Sequence, residues 1–246
     1  MTDHRGVVSI GTTHPWNVAG VGLDLRIAAR LGVEVFTVVA ALSAQDAHGI
    51  RALHPVPLEM LRAQLATLPL ERVGALRIGA LVGAAGVEVV AEFVARNSEI
   101  VAVVDPVLGA TRGGDFADEA TLIALRDTLA RAPSVVLTPN LAEAAALLGR
   151  REISAQQMDE AAGSLRARGA LAVLLKGGHL AGDPTDVLAD AEGVAAFPGT
   201  RLRSTLGGTG CMLAMVLACG LARGEGLREA VDEARAYVRQ RLVRHA

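Results

Sequence analysis

The fold is organised around the stretch Ser204-Thr205-Leu206-Gly207-Gly208-Thr209-Gly210-Cys211, which leads directly into the apolar residues 212–219. Glycines and small hydroxyl residues before an apolar run predict a loop at the N-terminus of a buried helix. The unpaired amides of a first helical turn and the helix dipole favour a bound anion, and glycine lets a phosphate approach the backbone. Cys211 falls in that turn, where the dipole lowers the pKa of a thiol. The alternative is an ordinary glycine turn before a helix with a core cysteine.

The composition excludes several classes of protein. Of the 246 residues, 51% are apolar and 20% are charged, which excludes intrinsic disorder and predicts one compact domain. A net charge of −2 and 2% aromatic residues provide neither a basic surface nor a stacking platform, so we expect no nucleic-acid partner. The N-terminus carries no long apolar run and no segment is long enough to span a bilayer, so we expect a cytoplasmic protein without a membrane partner. Cys219 lies two helical turns beyond Cys211, too far for a disulfide, and is expected in the core.

Strand-like and helix-like patterns alternate along the chain. Apolar runs rich in β-branched residues predict strands over 7–10, 33–41, 75–78, 100–104, 135–138 and 171–175, with weaker candidates over 186–189 and 194–197. Helical spacing predicts helices from 19 to a stop at Gly32, from Pro57, over 86–96, 117–131, 141–148 and 154–169, and two at the end of the chain. Repeated strand–helix units predict an α/β fold with a mainly parallel sheet and helices on both faces.

Polar and glycine-rich loops follow the predicted strands. They comprise residues 11–17, Gln45-Asp46, Asp105-Pro106, Thr138-Pro139-Asn140 and Lys176-Gly177-Gly178-His179. In parallel α/β sheets ligands bind beyond the carboxyl ends of the strands, so these loops should converge on one site with the glycine loop before Cys211. Any one of them alone would be ordinary turn chemistry.

Four motifs in this order resemble the hydroxymethylpyrimidine and phosphomethylpyrimidine kinases of thiamine biosynthesis, in the ribokinase-like superfamily. The motifs are Val104-Asp105-Pro106-Val107, Leu137-Thr138-Pro139-Asn140-Leu141-Ala142-Glu143-Ala144, Leu175-Lys176-Gly177-Gly178-His179-Leu180 and Gly208-Thr209-Gly210-Cys211. The resemblance covers nearly the whole chain. It implies a single ribokinase-like kinase domain over residues 1–246, with a three-layer α/β/α architecture, and we expect a homodimer.

The resemblance implies ATP-dependent transfer of phosphate to a hydroxymethyl group on a small heterocycle. It assigns the transferring phosphate to Gly208, Thr209, Gly210 and Cys211, with the cysteine in place of the aspartate base of sugar kinases. It assigns the nucleotide side to Lys176, Asn140, Thr138 and Gly178. Glu143 matches a carboxylate that helps to hold Mg²⁺, often through water, although a first-turn acid is also favoured by the helix dipole. Asp105 is a second candidate for the metal, or it supports a neighbouring loop by hydrogen bonds.

The acceptor side is assigned in the same way. The resemblance places Gly11, His14, Asp24, Gln45 and Val107 there. Gln45 matches a residue that pairs with the aminopyrimidine edge, because an amide both donates and accepts hydrogen bonds. For Asp24 a solvated helical aspartate is an easy alternative.

The loop after the first strand departs from the family pattern. It is one residue longer, with His14 at the position of the usual aspartate and Asn17-Val18 in place of paired glycines. Trp16 could stack on a ring or anchor the loop by packing. The phosphate side therefore matches the family while the acceptor side is altered. This leaves open a pyridoxal or pyridoxine kinase, or a non-catalytic pyrimidine-binding relative.

Overall fold

The computed structural model describes residues 5–46, 49–109, 114, 116–178, 180, 182–202, 204 and 206–245. Two residues of the motifs above, His179 and Thr205, lie outside the described residues.

One sheet of nine strands runs through the molecule in the order β3-β2-β1-β4-β5-β6-β7-β8-β9. The strands are β1 Gly6–Thr13, β2 Val35–Asp46, β3 Gly49–Pro55, β4 Val73–Ile78, β5 Val101–Val104, β6 Val135–Leu137, β7 Ala172–Leu175, β8 Thr185–Asp190 and β9 Gly193–Pro198. The six neighbouring strands β2, β1, β4, β5, β6 and β7 are parallel. At one end β3 is antiparallel to β2, and at the other β8 is antiparallel to both of its neighbours, β7 and β9. Because β1 lies between β2 and β4, the strand order reverses beside β1, the position at which such sheets open a crevice for ligands.

Helices cover both faces of the sheet. They are α1 Gly20–Leu31, α2 Leu58–Ala66, α3 Ala84–Arg96, α4 Glu119–Asp127, α5 Leu141–Leu148, α6 Met158–Arg166, α7 Thr209–Ala222 and α8 Leu227–Val243. Helices α2 to α6 pack on one face, and α1, α7 and α8 pack on the other. Alternate residues of β1 point to opposite faces of the sheet: Val8 packs in the core under α2 to α6, and Val7 packs in the core under α1, α7 and α8. The predicted three-layer α/β/α fold is confirmed. None of the described helices combines the length and the apolar character that a membrane crossing requires.

Most of the predicted elements are confirmed, and so are some of their ends, although β1 continues to Thr13 where a loop is predicted from Gly11. Helix α1 ends at Gly32, whose φ of 66° is left-handed, and α5 has the predicted bounds. Ser154 and Gln157 form the expected capping box. Cys219 is fully buried, as expected for a core residue.

The prediction of a loop at Gln45-Asp46 is wrong. Strand β2 continues to Asp46 and pairs with the unpredicted β3, so that Leu42 faces His54 and Asp46 faces Gly49. This pair lies at the edge of the sheet, where most side chains of β3 are solvated and lack the continuous apolar pattern of a buried strand. Ala47 and His48 lie outside the described residues.

Candidate active site

The predicted phosphate-side residues lie at the carboxyl ends of three neighbouring strands. Asp105 follows β5, Asn140 follows β6 and Lys176 follows β7. The strand ends are tied together, because the Lys176 amide donates to the Pro139 carbonyl at 2.8 Å and Asn140 pairs with Lys176 in a short parallel bridge. The sheet therefore brings together residues that are up to 71 positions apart in sequence.

Lys176 is held between two carboxylates. Its Nζ donates to Asp105 Oδ1 at 2.7 Å and lies 3.9 Å from Glu143 Oε2. Burial alone would lower the pKa of Lys176, but Asp105 and Glu143 raise it, so the amine is a cation. Burial would likewise raise the pKa of Asp105, but Lys176 and Arg77 hold it below its ordinary value. A Cβ on Gly210 would lie 3.1 Å from Nζ, so the glycine keeps the amine close to the first turn of α7.

Lys176 is the only lysine in the chain, since the other 23 of the 24 basic Lys and Arg residues are arginines. An ammonium is compact and its stem is flexible, whereas a guanidinium is a broad planar fork. The narrow space between Asp105, Glu143 and Gly210 suits the smaller group. The only lysine therefore lies in a space that fits a compact positive charge.

Glu143 caps a helix, and its surroundings disfavour the charged form of its carboxyl group. Asn140 Oδ1 accepts from the Glu143 amide at 2.9 Å, and Glu143 Oε2 accepts from the Asn140 amide at 2.7 Å, which completes a capping box at the start of α5. Burial raises the pKa of Glu143 to about 7, and Asp105 adds to that rise while Lys176 opposes it. Burial is the largest cause of this rise, so the site disfavours an uncompensated negative charge on Glu143.

Glu143→Gln should raise the thermal stability of the nucleotide-free protein at pH 8. The pKa of Glu143 is raised from 4.5 to about 7, so ionisation destabilises the folded state progressively between these two pH values and by a constant amount above them. Glutamine keeps an oxygen for the Asn140 amide. Melting temperatures from pH 4 to pH 8 should therefore converge with wild type at the acid end and exceed it at pH 8.

Glu160→Gln is the matched control for this prediction, because Arg150 and Ser164 lower the pKa of Glu160 to about 2. That variant should not gain stability between pH 4.5 and pH 8. If the difference in melting temperature between wild type and Glu143→Gln stays the same from pH 4.5 to pH 8, the pKa of Glu143 is not raised.

A buried arginine connects the phosphate side to the acceptor side. Arg77 on β4 is fully buried; its Nε lies 3.4 Å from Asp24 Oδ2 and its Nη2 lies 3.6 Å from Asp105 Oδ2. Ser9 Oγ also donates to Asp24 Oδ2, at 2.7 Å. A Cβ on Gly79 would overlap Nη1 of Arg77, so glycine is needed for the guanidinium to fit. The result is a row of alternating charges, which we call the charge row: Asp24, Arg77, Asp105, Lys176 and Glu143.

Sequence reasoning missed Arg77. The residue was included in a strand predicted from its apolar neighbours. The available signal was a lone arginine inside a buried strand, directly before Ile78-Gly79, because an arginine is almost never fully buried unless it is paired.

The expectation of a lowered Cys211 pKa is wrong. Burial raises the pKa of the Cys211 thiol to about 11; Arg77 opposes the rise, while Asp105 and Asp24 add to it. The helix terminus is nevertheless open, because among the described residues no side chain caps Gly208 and no acidic residue lies in the first turn of α7. In the nucleotide-free protein Cys211 is therefore a neutral thiol beside an anion-binding helix end.

The altered loop after β1 packs against the glycine loop. Gly208 has a φ of 74°, and a Cβ there would overlap the Val18 carbonyl oxygen. Gly20, with a φ of 59°, approaches the Thr12 carbonyl in the same way. The loop after β1 and the glycine loop before α7 are therefore in direct contact at Val18 and Gly208, so the position of each depends on the other.

Comparison with known proteins identifies the family. Residues 15–246 match the family model described as phosphomethylpyrimidine kinase. The chain belongs to the phosphomethylpyrimidine kinase family. It is 35% identical to the hydroxymethylpyrimidine/phosphomethylpyrimidine kinase of Streptomyces coelicolor, over 94% of this chain and 86% of that protein.

Solved structures agree with this phosphotransferase family. The phosphomethylpyrimidine kinase of Clostridium difficile superposes with a TM-score of 0.84 at 23% identity, covering 97% of this kinase and 99% of that chain, which supports the fold. The pyridoxal kinase of Bacillus subtilis, solved as an ADP complex, superposes with a TM-score of 0.85 at 27% identity, covering 95% and 90%. The ribokinase-like fold of this kinase is thus shared with enzymes of two acceptor classes.

The predicted acceptor residues of this kinase do not all face one space. His14 and Gln45 line a cavity of about 310 Å³ together with Gly208. His14 is 5% exposed, and burial lowers its pKa, while the Ala19 backbone opposes the shift. Asp24 is fully buried beneath, as a member of the charge row. A solvated Asp24 is thereby excluded.

Three other predicted residues, Gly11, Val107 and Thr138, have structural contacts, whereas Gly178 faces open space. Gly11 lies above the Arg77 guanidinium, and the Val107 amide donates to the Asp105 carbonyl at 2.8 Å. Thr138 Oγ1 donates to the Val104 carbonyl at 3.4 Å, and a side chain on Gly178 would meet open space. Their roles toward ligands stay predictions.

The residues of the charge row suit a magnesium ion bound chiefly through water. No group of three or more metal-binding side chains occurs within the described part of the chain, which argues against an all-protein cage. Mg²⁺ usually keeps several waters and takes one or two carboxylates together with substrate phosphates. Glu143 and Asp105 flank Lys176, and the raised pKa of Glu143 marks a place where added positive charge is favourable.

Proposed function

We propose that this kinase transfers the terminal phosphoryl group of Mg·ATP to 4-amino-5-hydroxymethyl-2-methylpyrimidine, to its monophosphate, or to both, in thiamine biosynthesis. One observation carries the proposal: the only lysine lies 2.7 Å from Asp105, next to Gly210 in the first turn of α7. An ammonium beside an open helix N-terminus is a site for a transferring phosphate.

The roles follow from charge and position. Lys176 and the amides of Gly208, Thr209 and Gly210 would hold the transferring phosphate, because phosphoryl transfer depends mainly on positioning and charge stabilisation. Glu143 and Asp105 would hold Mg²⁺, which supplies further charge neutralisation when bound. Asn140, Thr138 and Gly178 would line the nucleotide side.

On the acceptor side, Gln45 would pair with the aminopyrimidine edge and His14 would contact the ring, since both line the cavity beside Gly208. Gly11 and Val107 would border the ring. Asp24 would act from below, by fixing Arg77.

Cys211→Ala should lower kcat by about a hundredfold with little change in melting temperature, because a group positioned for proton transfer is worth about that much. To take the acceptor proton, the neutral Cys211 thiol must first lose its own proton and react as the thiolate. Cys211 is only partly buried, whereas Cys219 is fully buried in the core. Cys219→Ala should therefore lower the melting temperature and leave kcat near wild type. Initial rates and thermal melts of both variants test this. Full activity of Cys211→Ala would exclude Cys211 from the reaction.

The proposed function is tested by measuring ADP release with four acceptors: the pyrimidine alcohol, its monophosphate, pyridoxal and pyridoxine. We expect the highest kcat/KM with one of the two pyrimidines. A higher value for pyridoxal or pyridoxine would make the protein a kinase of that class. Binding of the pyrimidine without any ATP turnover would identify a non-catalytic relative.

We also propose that the kinase is a cytoplasmic homodimer. Light scattering of the purified protein tests the dimer.

A further inference from the structure

The backbone around Lys176 is fixed on both sides. On one side the Lys176 amide donates to the Pro139 carbonyl beyond β6. On the other side the amide of the next residue, Gly177, donates to Asp186 Oδ1 on β8 at 2.9 Å. Gly177 is buried and packs so closely against β8 that a Cβ would lie 1.9 Å from the Thr185 carbonyl oxygen. The position of the Lys176 side chain therefore depends on a carboxylate outside the charge row.

Asp186 is in turn held by Arg235 of α8. The Arg235 Nε donates to Asp186 Oδ2 at 2.9 Å, so one carboxylate oxygen binds the guanidinium and the other binds the Gly177 amide. Arg235 Nη2 donates to the carbonyls of Phe197 and Pro198 at 2.6 and 3.0 Å, and the guanidinium carbon lies 5.4 Å from the centre of the Phe197 ring. A planar guanidinium with these partners has little freedom, so it fixes the orientation of the carboxylate.

Both charged side chains are largely shielded from water. The exposed fraction is 15% for the Asp186 side chain and 20% for that of Arg235. Hydrogen bonds to an ionised group are roughly twice as strong as those between neutral groups, and partial burial strengthens them further. The bond from the Gly177 amide to Asp186 is therefore strong enough to hold the turn after β7 in one conformation.

A second aspartate–arginine pair joins the same strand to the same helix. Asp190 of β8 accepts from Nε and Nη2 of Arg228 on α8 at 2.8 and 2.9 Å. Asp186 and Asp190 are four positions apart on β8, so both face α8, with the buried Leu188 between them. Because β8 is antiparallel to β7, Asp186 lies at the carboxyl end of β7 and Asp190 lies toward its amino end. The two pairs thus fasten α8 alike, and the Asp186 pair adds the bond to the turn after β7.

We infer that Asp186 and Arg235 are positioning residues for phosphoryl transfer: Asp186 fixes the turn that carries Lys176, and Arg235 fixes Asp186. The inference rests on the proposed function, in which Lys176 holds the transferring phosphate. Both residues act through the Gly177 amide and not by contact with the phosphate. A shift of about 1 Å in a group at the reacting centre can lower the rate by about a hundredfold, so loss of this support should reduce kcat.

Asp186→Ala should lower kcat with Mg·ATP and the pyrimidine alcohol by about tenfold or more, because it releases the Gly177 amide and allows Lys176 to shift. Asp190→Ala is the matched control, since it removes the same side chain from the same strand and breaks the same type of pair with α8. It should lower the melting temperature and leave kcat near wild type. Wild-type kcat in Asp186→Ala, or an equal loss of kcat in both variants, would overturn the inference.

Arg235→Met tests the outer member of the pair. It should lower kcat by a smaller factor than Asp186→Ala, because the bond between Asp186 and the Gly177 amide remains. The double variant Asp186→Ala/Arg235→Met should have the kcat of Asp186→Ala alone, since Arg235 acts through Asp186. Losses that multiply in the double variant would show a separate route and overturn the assignment of Arg235.

The reactivity of Lys176 tests the inference without turnover. Lys176 is the only lysine, so mass spectrometry can follow its acylation at one alkaline pH without nucleotide, with the N-terminus as internal reference. Its side chain is 13% exposed. Loosening of the turn should expose the amine, so acylation should become severalfold faster in Asp186→Ala and stay at the wild-type rate in Asp190→Ala.

Arg235→Met provides the same comparison if Asp186→Ala folds poorly. An acylation rate at the wild-type value in both variants would overturn the inference. Faster acylation in a protein that phosphorylates no acceptor would support the positioning of Lys176 and contradict the proposed function alone.

Discussion

Lys176→Met should lower kcat/KM for phosphoryl transfer by about a thousandfold, because a preorganised charge at the transferring phosphate is worth about that much. The effect has two physical sources. The variant removes the only ammonium near the first turn of α7, and it leaves Asp105 and Glu143 as two carboxylates that repel both each other and the phosphates. The loss should therefore appear in kcat and in the affinity for ATP together.

Lys176→Arg should also lose most of the phosphoryl-transfer activity, although it keeps the positive charge. A guanidinium keeps the charge but needs more room than the space beside Gly210 provides, where a single Cβ would already lie 3.1 Å from Nζ. Initial rates over a range of ATP concentrations test both variants. An arginine variant with wild-type kinetics would show that only the charge at this position matters.

Lys176 also provides a chemical measurement of the same site. Because it is the only lysine, a reagent that acylates amines can modify only this side chain and the N-terminus. Only the neutral amine is acylated and the pKa of Lys176 is raised, so the reaction is run at alkaline pH, where acylation of Lys176 without nucleotide is first established. Mass spectrometry should then show that Mg·ATP slows acylation of Lys176 and leaves that of the N-terminus unchanged. Equal rates with and without nucleotide would contradict the placement of the phosphates at Lys176.

Arg77→Met should lower the free energy of unfolding by about 3–5 kcal/mol, the usual cost of leaving one member of a buried ion pair without its partner. Arg77 and Asp24 are both fully buried, and Asp105 is almost so. Removing the cation leaves two carboxylates in a site that water does not reach. Denaturant unfolding followed by circular dichroism measures the loss.

Arg62→Met is the matched control. Arg62 pairs with Glu92 at 3.1 Å on the protein surface, with roughly half of each side chain exposed, so its removal should change stability little. The double variant Arg77→Met/Asp24→Asn should be less unstable than the two single changes added together, because the second substitution removes the uncompensated charge. Strict additivity would show that Arg77 and Asp24 do not interact.

The sequence was sufficient to predict the parallel sheet and the loops that meet at its edge. Strands that are buried on both faces appear in the sequence as continuous apolar runs. The polar residues that end these runs, such as Asp105, Asn140 and Lys176, lie beyond the carboxyl ends of the strands, where parallel α/β sheets bind their ligands. Glycine at Gly32 and the Asn140–Glu143 spacing mark helix ends that depend only on local geometry.

Features that depend on burial could not be predicted in this way. Arg77 is significant only because Asp24 and Asp105, distant in sequence, approach it in the fold. The pKa of Cys211 was misjudged because the helix dipole is readable from sequence and desolvation is not. The β3 strand was missed because a largely exposed edge strand need not have the continuous apolar run of a buried strand.

The charge row has a consequence for how the chain folds. Its five members come from five separate segments between residues 24 and 176, and the Lys176–Asp105 contact alone spans 71 positions. Such non-local contacts form late, because the entropy of closing long loops must be overcome before they contribute. During synthesis Asp105 and Glu143 leave the ribosome well before Lys176, so the acidic edge is exposed to solvent until β7 docks. Docking of β7, the last parallel strand before the antiparallel β8, therefore places Lys176 between Asp105 and Glu143 in the same step that extends the sheet.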